Sequence, residues 1–104
     1  MRQTEADFMR TVLEYASLRG WKFVHFRAGL NRRGRWQTPI SGEPGFPDVV
    51  CVRGDRVVAL ELKRQGGKAT PAQLEWLLAL DAVQGITARV VRPSDWAWIE
   101  EMLR

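Results

Sequence analysis

The sequence has little of what secreted and membrane proteins require. Its 104 residues include one cysteine, so an intramolecular disulfide is excluded, and we expect Cys51 to be a buried, reduced thiol among valines. No apolar run approaches the roughly 20 residues that a membrane helix needs. The first residues, MRQTEADF, do not form a signal peptide. We therefore expect a cytoplasmic protein with no membrane partner.

Length and charge predict one globular domain that binds a polyanion. With 45% apolar and 27% charged residues, the chain has the composition of a folded protein, and its length predicts a single domain over 1–104. The net charge of +4 is uneven, because residues 19–68 carry +7 and the remaining residues carry −3. Solvated surface charge accounts for any single Arg, but the asymmetry as a whole predicts nucleic acid as the partner.

Periodicity and capping residues predict the element order α-β-β-β-α-β-α. Thr4 and Thr70 are typical N-caps, whereas Gly20 and Gly85 are typical of helix ends. The predicted elements are a helix over 4–20, a strand over 21–26, a hairpin over 48–63, a helix over 70–85, a strand over 86–91 and a helix over 95–103. Residues 27–45 show no period and contain four Arg. Such a segment in a small domain is usually functional or disordered.

The apolar pattern predicts an α/β fold with a sheet covered on both sides. Both faces of the hairpin are apolar, which helices on both sides of a sheet would explain. The first face has Val50, Val52, Val57 and Ala59, and the second has Val49, Cys51, Val58, Leu60 and Leu62. We expect the second helix to bury Leu74, Leu77 and Leu78, with Trp76 beside them, and the last helix to bury Trp96, Ile99 and Leu103.

Three charged residues meet at the open end of the predicted hairpin. In the stretch DVVCVRGDRVVALELK, a turn at Gly54 and Asp55 places Asp48 opposite Glu61. Directly opposed Cβ atoms are about 4.5–5.5 Å apart, and Lys63 shares the face of Glu61 because strand side chains alternate. Opposed like charges destabilise a sheet, and a divalent cation would reverse that effect. The pattern therefore predicts a metal site.

These motifs resemble a known nuclease family. GFPDVV, ALELK and TPAQLEWL, preceded by a helix with an early Glu, resemble the PD-(D/E)xK nuclease superfamily. More narrowly they are similar to the VRR-NUC domain, a small virus-type and bacterial module akin to Holliday-junction resolvases. The resemblance runs from Glu5 to the C-terminal helix and implies a restriction-endonuclease-like αβββαβ(α) core. It also implies a metal-dependent DNA endonuclease in the cytoplasm of a bacterial or virus-infected bacterial cell.

The resemblance implies a role for each residue of the site. Asp48 and Glu61 would bind Mg²⁺ or Mn²⁺, and the Leu62 carbonyl would complete the ligands from the protein. Lys63 would orient the attacking water and help to deprotonate it. Glu5 would hold the metal through water or supply a second ion. Gln73 would position the phosphate or the nucleophile.

Each of these residues has a structural alternative. Glu5 near a helix N-terminus favours the helix dipole in any protein, and Gln73 fits a capping box without any catalysis. The opposed carboxylates would also fit a set of ion pairs with Lys63 and Arg64. His25 faces either the core or the site, and as a lone His we expect it to be packed or hydrogen-bonded rather than catalytic.

The basic residues around the site predict contacts with the DNA backbone. The predicted nucleic-acid-binding residues are Arg27, Arg32, Arg33, Arg35, Trp36, Arg64 and Lys68. Five of them lie in 27–45, which we expect to be a mobile, Arg-rich, DNA-contacting loop. Trp36 among arginines suits stacking on a base or wedging into a junction, with loop anchoring as the alternative. Trp21, Trp76, Trp96 and Trp98 are expected in the core or at a subunit interface.

No sequence-reading module such as a zinc finger or a helix-turn-helix is present. A preference for DNA structure, as in branched, junction or flap DNA, is therefore expected over a preference for sequence. By analogy with junction resolvases, a homodimer is expected. Two alternatives stay open: a catalytically idle nucleic-acid-binding protein with the same fold, and a nuclease subunit that a partner targets.

Overall fold

A four-stranded mixed sheet carries the helices of this protein. The computed structural model describes residues 3–26, 29–30, 36–37 and 41–104. The strands are β1 (Lys22–His25), β4 (Val49–Arg53), β5 (Arg56–Leu62) and β6 (Ile86–Val91), in the order β1-β4-β5-β6. Neighbours pair antiparallel except β5 and β6, which are parallel. The predicted hairpin is confirmed as β4 and β5.

A second, two-stranded pairing lies within the segment that was predicted to be irregular. Strand β2 (Gly29–Leu30) pairs antiparallel with β3 (Trp36–Gln37). The expectation of no regular structure over 27–45 was wrong at these four positions, because strands of two residues are too short for a period to be seen. Residues 27–28, 31–35 and 38–40 lie outside the described residues, and the prediction of a mobile loop there stays a prediction.

Helices α1 and α2 begin where their capping residues predict. Helix α1 (Glu5–Leu18) is capped by Thr4, whose hydroxyl accepts a hydrogen bond from the Asp7 N–H at 3.0 Å. Helix α2 (Pro71–Asp81) is capped by Thr70 in a capping box. Helix α3 (Trp96–Leu103) follows a short 3₁₀ turn, Pro93–Asp95. Among the described residues, no helix is long and apolar enough to cross a membrane.

The main core lies between the sheet and helices α1 and α3. It contains Phe8 and Val12 from α1, Ile99 and Leu103 from α3, and one face of the hairpin. That face comprises Val49, Cys51, Val58, Leu60 and Leu62, all buried. Burying each large apolar side chain contributes about 1.5–3 kcal/mol. Cys51 is in this core, as predicted, and burial raises the pKa of its thiol to about 11.

Helix α2 covers only half of the opposite face of the sheet. It packs on β5 and β6 and buries Leu77, but Leu74 is 46% exposed and Leu78 is 74% exposed. The prediction that all three leucines are buried was wrong, because α2 is apolar around much of its circumference and contacts the sheet along one stripe. Val24 on β1 and Val52 on β4 are also exposed, so cover by helices on both sides holds only for β5 and β6.

Candidate active site

The hairpin register places Asp48 and Glu61 across from each other. Val49 pairs with Leu60 and Arg53 with Arg56, as the turn predicted, and Gly54 has a positive φ of 62° at that turn. Strand β4 begins at Val49, so Asp48 lies one residue outside it. The same register continued by one residue sets Asp48 against Glu61.

Backbone contacts on both sides hold Asp48. Its carbonyl accepts a hydrogen bond from the Phe26 N–H at 2.9 Å, next to β1. Its carboxylate Oδ2 accepts one from the Leu62 N–H at 3.1 Å, next to β5. The N–H and C=O of one strand residue point to the same side of the strand, so the Leu62 carbonyl also faces toward Asp48. The Leu62 carbonyl is therefore directed to the side of the strand on which Asp48 lies.

Glu61 is the only charged side chain among the buried described residues, at 2% exposure. Its Oε2 lies 3.3 Å from the Lys63 ammonium and 3.3 Å from the Gln73 side-chain nitrogen. Its Oε1 is buried with no hydrogen-bond partner among the described residues. An unsatisfied buried carboxylate oxygen is costly. Lys63 shares the face of Glu61, as predicted, yet it satisfies only one of the two oxygens.

The position of Glu61 destabilises the charged form of its carboxyl group. Burial, followed by the negative charge of Asp48 and a hydrogen bond with its side chain, raises the pKa of Glu61 from 4.5 to about 8, although Lys63 acts in the opposite direction. A hard divalent cation takes carboxylate and carbonyl oxygens as ligands. The orphaned oxygen of Glu61, the Asp48 carboxylate and the Leu62 carbonyl make a donor set that fits such a cation. A closed set of ion pairs does not account for this oxygen, because Lys63 reaches only Oε2; in the metal-free protein a proton shared with the Asp48 carboxyl does account for it.

Gln73 completes a capping box and also contacts Glu61. Its side-chain oxygen accepts a hydrogen bond from the Thr70 N–H at 2.8 Å, which completes the capping box. Its side-chain nitrogen donates to Glu61 Oε2. The capping box thus fixes the orientation of an amide that reaches into the site, and the two interpretations of Gln73 do not exclude each other.

Glu5 and His25 lie apart from the two carboxylates. Glu5 is exposed in the first turn of α1. Within the described ranges, no group of three or more His, Cys, Asp or Glu side chains is placed to hold a metal ion. The structure therefore does not bring Glu5 together with Asp48 and Glu61. His25 pairs with Val49 and lines a groove against α1, so it faces away from the site, as expected for a packed His.

Only part of the predicted nucleic-acid surface can be located. Arg64 and Lys68 are exposed on the segment that follows β5. Arg92 fixes this segment, because its guanidinium donates two hydrogen bonds to the Gly67 carbonyl, at 2.6 and 3.0 Å. The side chain of Trp36 lies outside the described residues. The same is true of Arg27, Arg32, Arg33 and Arg35.

The sequence did not reveal an aromatic cavity beside the carboxylates. A cavity of about 740 Å³ is lined by Phe26, Phe46 and Trp76, and also by Asp48 and Gln73. Trp76 was expected in the core or at an interface, but it is half-buried at this cavity. One part of the cavity could have been predicted from the sequence: the alternation of side chains along β1, continued by one residue, places Phe26 on the same face of the sheet as Asp48. The other two rings come from a loop and from α2, which local patterns do not connect.

A solved structure described as a VRR_NUC domain protein resembles this chain. The TM-score is 0.63, the sequence identity is 24%, and the match covers 91% of this chain and 82% of that one. The chain has the fold of that domain. The predicted α/β class, with a central mixed sheet flanked by helices, is therefore confirmed. No family model matches the chain, and no curated protein matches it in sequence.

Proposed function

We propose that this protein is a divalent-metal-dependent endonuclease that hydrolyses phosphodiester bonds in DNA, with a preference for branched, junction or flap structures. The observation that carries the proposal is the buried Glu61, which has one orphaned oxygen and lies between Asp48, Lys63 and Gln73. A charged cluster of this kind is costly to fold and typical of functional sites. The VRR_NUC name of the structural neighbour supports a nuclease.

Asp48 and Glu61 are the proposed ligands of Mg²⁺ or Mn²⁺, with the Leu62 carbonyl. When bound, the cation supplies charge stabilisation for the phosphoryl oxygens during in-line displacement. The Leu62 N–H holds Asp48 Oδ2 in place, so this ligand needs no rearrangement. Glu5 stays a prediction, as a ligand through water or for a second ion.

Lys63 and Gln73 act on the other side of Glu61. The Lys63 ammonium is held by Glu61 Oε2 and has further N–H groups with which to orient the attacking water and stabilise its hydroxide form. Gln73 keeps Glu61 Oε2 in place through its side-chain nitrogen. Arg64 and Lys68, both exposed nearby in sequence, are proposed contacts of the DNA backbone, together with the Arg-rich segment 27–45.

The proposal includes a homodimer in the cytoplasm. Leu74 and Leu78 are four residues apart and so neighbours on the surface of α2; they are 46% and 74% exposed, and contiguous exposed apolar patches are typical of interaction sites. Light scattering after size exclusion measures the mass in solution. A mass equal to one chain at micromolar concentration would remove the dimer from the proposal but leave the catalytic site intact.

The test of the proposal is cleavage of labelled flap, junction and linear DNA in Mg²⁺, Mn²⁺ or EDTA. We expect cutting of the branched substrates that requires the metal and is lost in Asp48→Asn and in Lys63→Met. Equal cutting by the wild type and both variants would identify a contaminant and refute the proposal. Binding without any cutting would favour the idle DNA-binding protein, and cutting only with an added partner would favour the targeted subunit.

A further inference from the structure

The aromatic cavity beside the site has the features of a pocket for a flat, uncharged group. Asp48 and Gln73 line the cavity of about 740 Å³ and belong to the carboxylate cluster as well. A group that enters the cavity therefore lies next to the atoms that are proposed to cut DNA. Pockets of about 300–1,000 Å³ lined by aromatic residues are typical of small organic ligands.

The three rings are arranged in a row and are not buried. Phe46 lies edge-on to Phe26, with centroids 5.5 Å apart, and edge-on to Trp76, with centroids 5.1 Å apart. The indole N–H of Trp76 donates to the Glu43 carbonyl at 3.2 Å, which fixes the ring. Phe26 is 42% exposed and Phe46 is 37% exposed. A cluster that only anchored the loop would bury these rings, whereas these keep surface available for stacking.

The charges that the described residues place around the cavity disfavour a phosphate as its occupant. Its walls include the carboxylates of Asp48 and Glu43, and no Lys or Arg lines it among the residues that the structure describes. Three cations that the structure does describe near the site lie elsewhere: Lys63 beside Glu61, and Arg64 and Lys68 on the segment after β5. A DNA strand whose phosphates lie along these cations would direct an uncharged part of its nucleotides toward the three rings. In DNA that part is a base, and every base has a π-face that stacks on aromatic side chains.

We infer that this cavity receives one unpaired nucleobase of the DNA strand, next to the phosphate that lies at Asp48 and Glu61. The inference rests on the proposed function and specifies its substrate. A base in a duplex is already stacked and paired, and its removal costs a few kcal/mol that a flap or a junction does not require. The pocket therefore selects DNA with an unpaired base at the cut, and this gives a structural cause for the expected preference for branched substrates.

The test is binding of a flap probe whose first unpaired base is the fluorescent analogue 2-aminopurine, in EDTA, so that no strand is cut. A fully paired duplex of equal length is the reference. Loss of one stacking ring in Trp76→Leu should weaken binding of the flap by about 5-fold to 150-fold and leave binding of the duplex unchanged. The wild type, but not this variant, should change the fluorescence of the probe.

One further variant is a control and another repeats the test. Trp98→Leu removes a half-buried Trp on α3, which packs under Arg89 at 4.4 Å, and it should bind both probes as the wild type does. Phe46→Leu removes a second ring of the cavity and should lower flap binding in the same way as Trp76→Leu. Circular dichroism and thermal unfolding establish that each variant is folded.

The outcomes separate this inference from the proposed function. If Trp76→Leu and Phe46→Leu bind the flap as the wild type does, or lose flap and duplex equally, the base pocket is refuted even if the protein cuts DNA. If flap binding depends on both rings but the wild type never cuts DNA in Mg²⁺ or Mn²⁺, the pocket is supported and the nuclease proposal fails.

Discussion

Replacing Glu61 by Gln should stabilise the metal-free protein by an amount that grows as the pH rises from 4.5 to about 8. Gln has nearly the same shape as Glu and can still accept hydrogen bonds from Lys63 and Gln73, but it carries no charge. Burial and the charge of Asp48 raise the pKa of Glu61 to about 8, from 4.5 in an unstructured chain. The folded protein therefore holds this proton at a pH at which the unfolded chain has lost it.

The sign and size of the effect follow from this pKa. Below pH 4.5, Glu61 is protonated in both states and the stabilising contribution is complete. As the pH rises from 4.5 to about 8, the free energy of unfolding falls, by up to about 1.4 kcal/mol per pH unit. The total loss is about 5 kcal/mol, an upper limit since neighbouring groups relax. This is a large part of the roughly 5–15 kcal/mol that stabilises a domain.

The assay is urea unfolding followed by tryptophan fluorescence, in EDTA, at intervals between pH 4.5 and 8.5. Glu61→Gln should equal the wild type at the acid end and exceed it by several kcal/mol at the alkaline end. Glu75→Gln, on the exposed side of α2, is the matched control and should follow the wild type throughout. If the difference between Glu61→Gln and the wild type does not change with pH, the description of Glu61 as a destabilised buried charge is wrong.

Two pairs of substitutions test how the site is held in place. Gly45 and Gly42 both have positive φ, but a Cβ on Gly45 would lie 2.6 Å from the Ala72 carbonyl carbon, whereas a Cβ on Gly42 meets nothing within 4 Å. Gly45→Ala should therefore lower the free energy of unfolding by about 1–3 kcal/mol more than Gly42→Ala, and equal losses in a denaturant series would contradict this close packing. Gln73→Ala should lower both the free energy of unfolding and the cleavage rate. Thr70→Ala removes a cap worth about 1 kcal/mol and should lower the free energy of unfolding alone. Equal losses of cleavage rate in the two variants would mean that Gln73 acts only as a cap.

Much of the fold follows from short-range signals in the sequence. The turn at Gly54 and the alternation of apolar residues determine the register of the hairpin, because a shift by one residue would move every buried side chain to the wrong face. Capping residues predict where α1 and α2 begin. The orientation of α2 could not be predicted, because Leu74, Leu77 and Leu78 do not mark one buried face, and the choice of Leu77 depends on contacts with β5 and β6.

The candidate site also has a part that the sequence predicts and a part that it does not. Asp48, Glu61 and Lys63 come together through one hairpin, so their proximity was predictable from register alone. The contact of Gln73 with Glu61 depends on how α2 crosses the sheet, and the aromatic cavity depends on a loop that packs on α2. Such contacts are set by tertiary packing between segments far apart in the chain, and no local pattern encodes them.

The most direct test of the proposed catalytic site is the cleavage rate of Lys63→Met beside that of Arg64→Met, at saturating Mg²⁺ on one flap substrate. The two residues are adjacent, but only Lys63 contacts Glu61, with Nζ 3.3 Å from Oε2. We predict that Lys63→Met lowers the rate by about 10²–10⁴, whereas Arg64→Met mainly weakens DNA binding and changes the saturated rate by less than about tenfold. Equal rates for the two variants, or a wild-type rate that persists in Lys63→Met, would contradict the account.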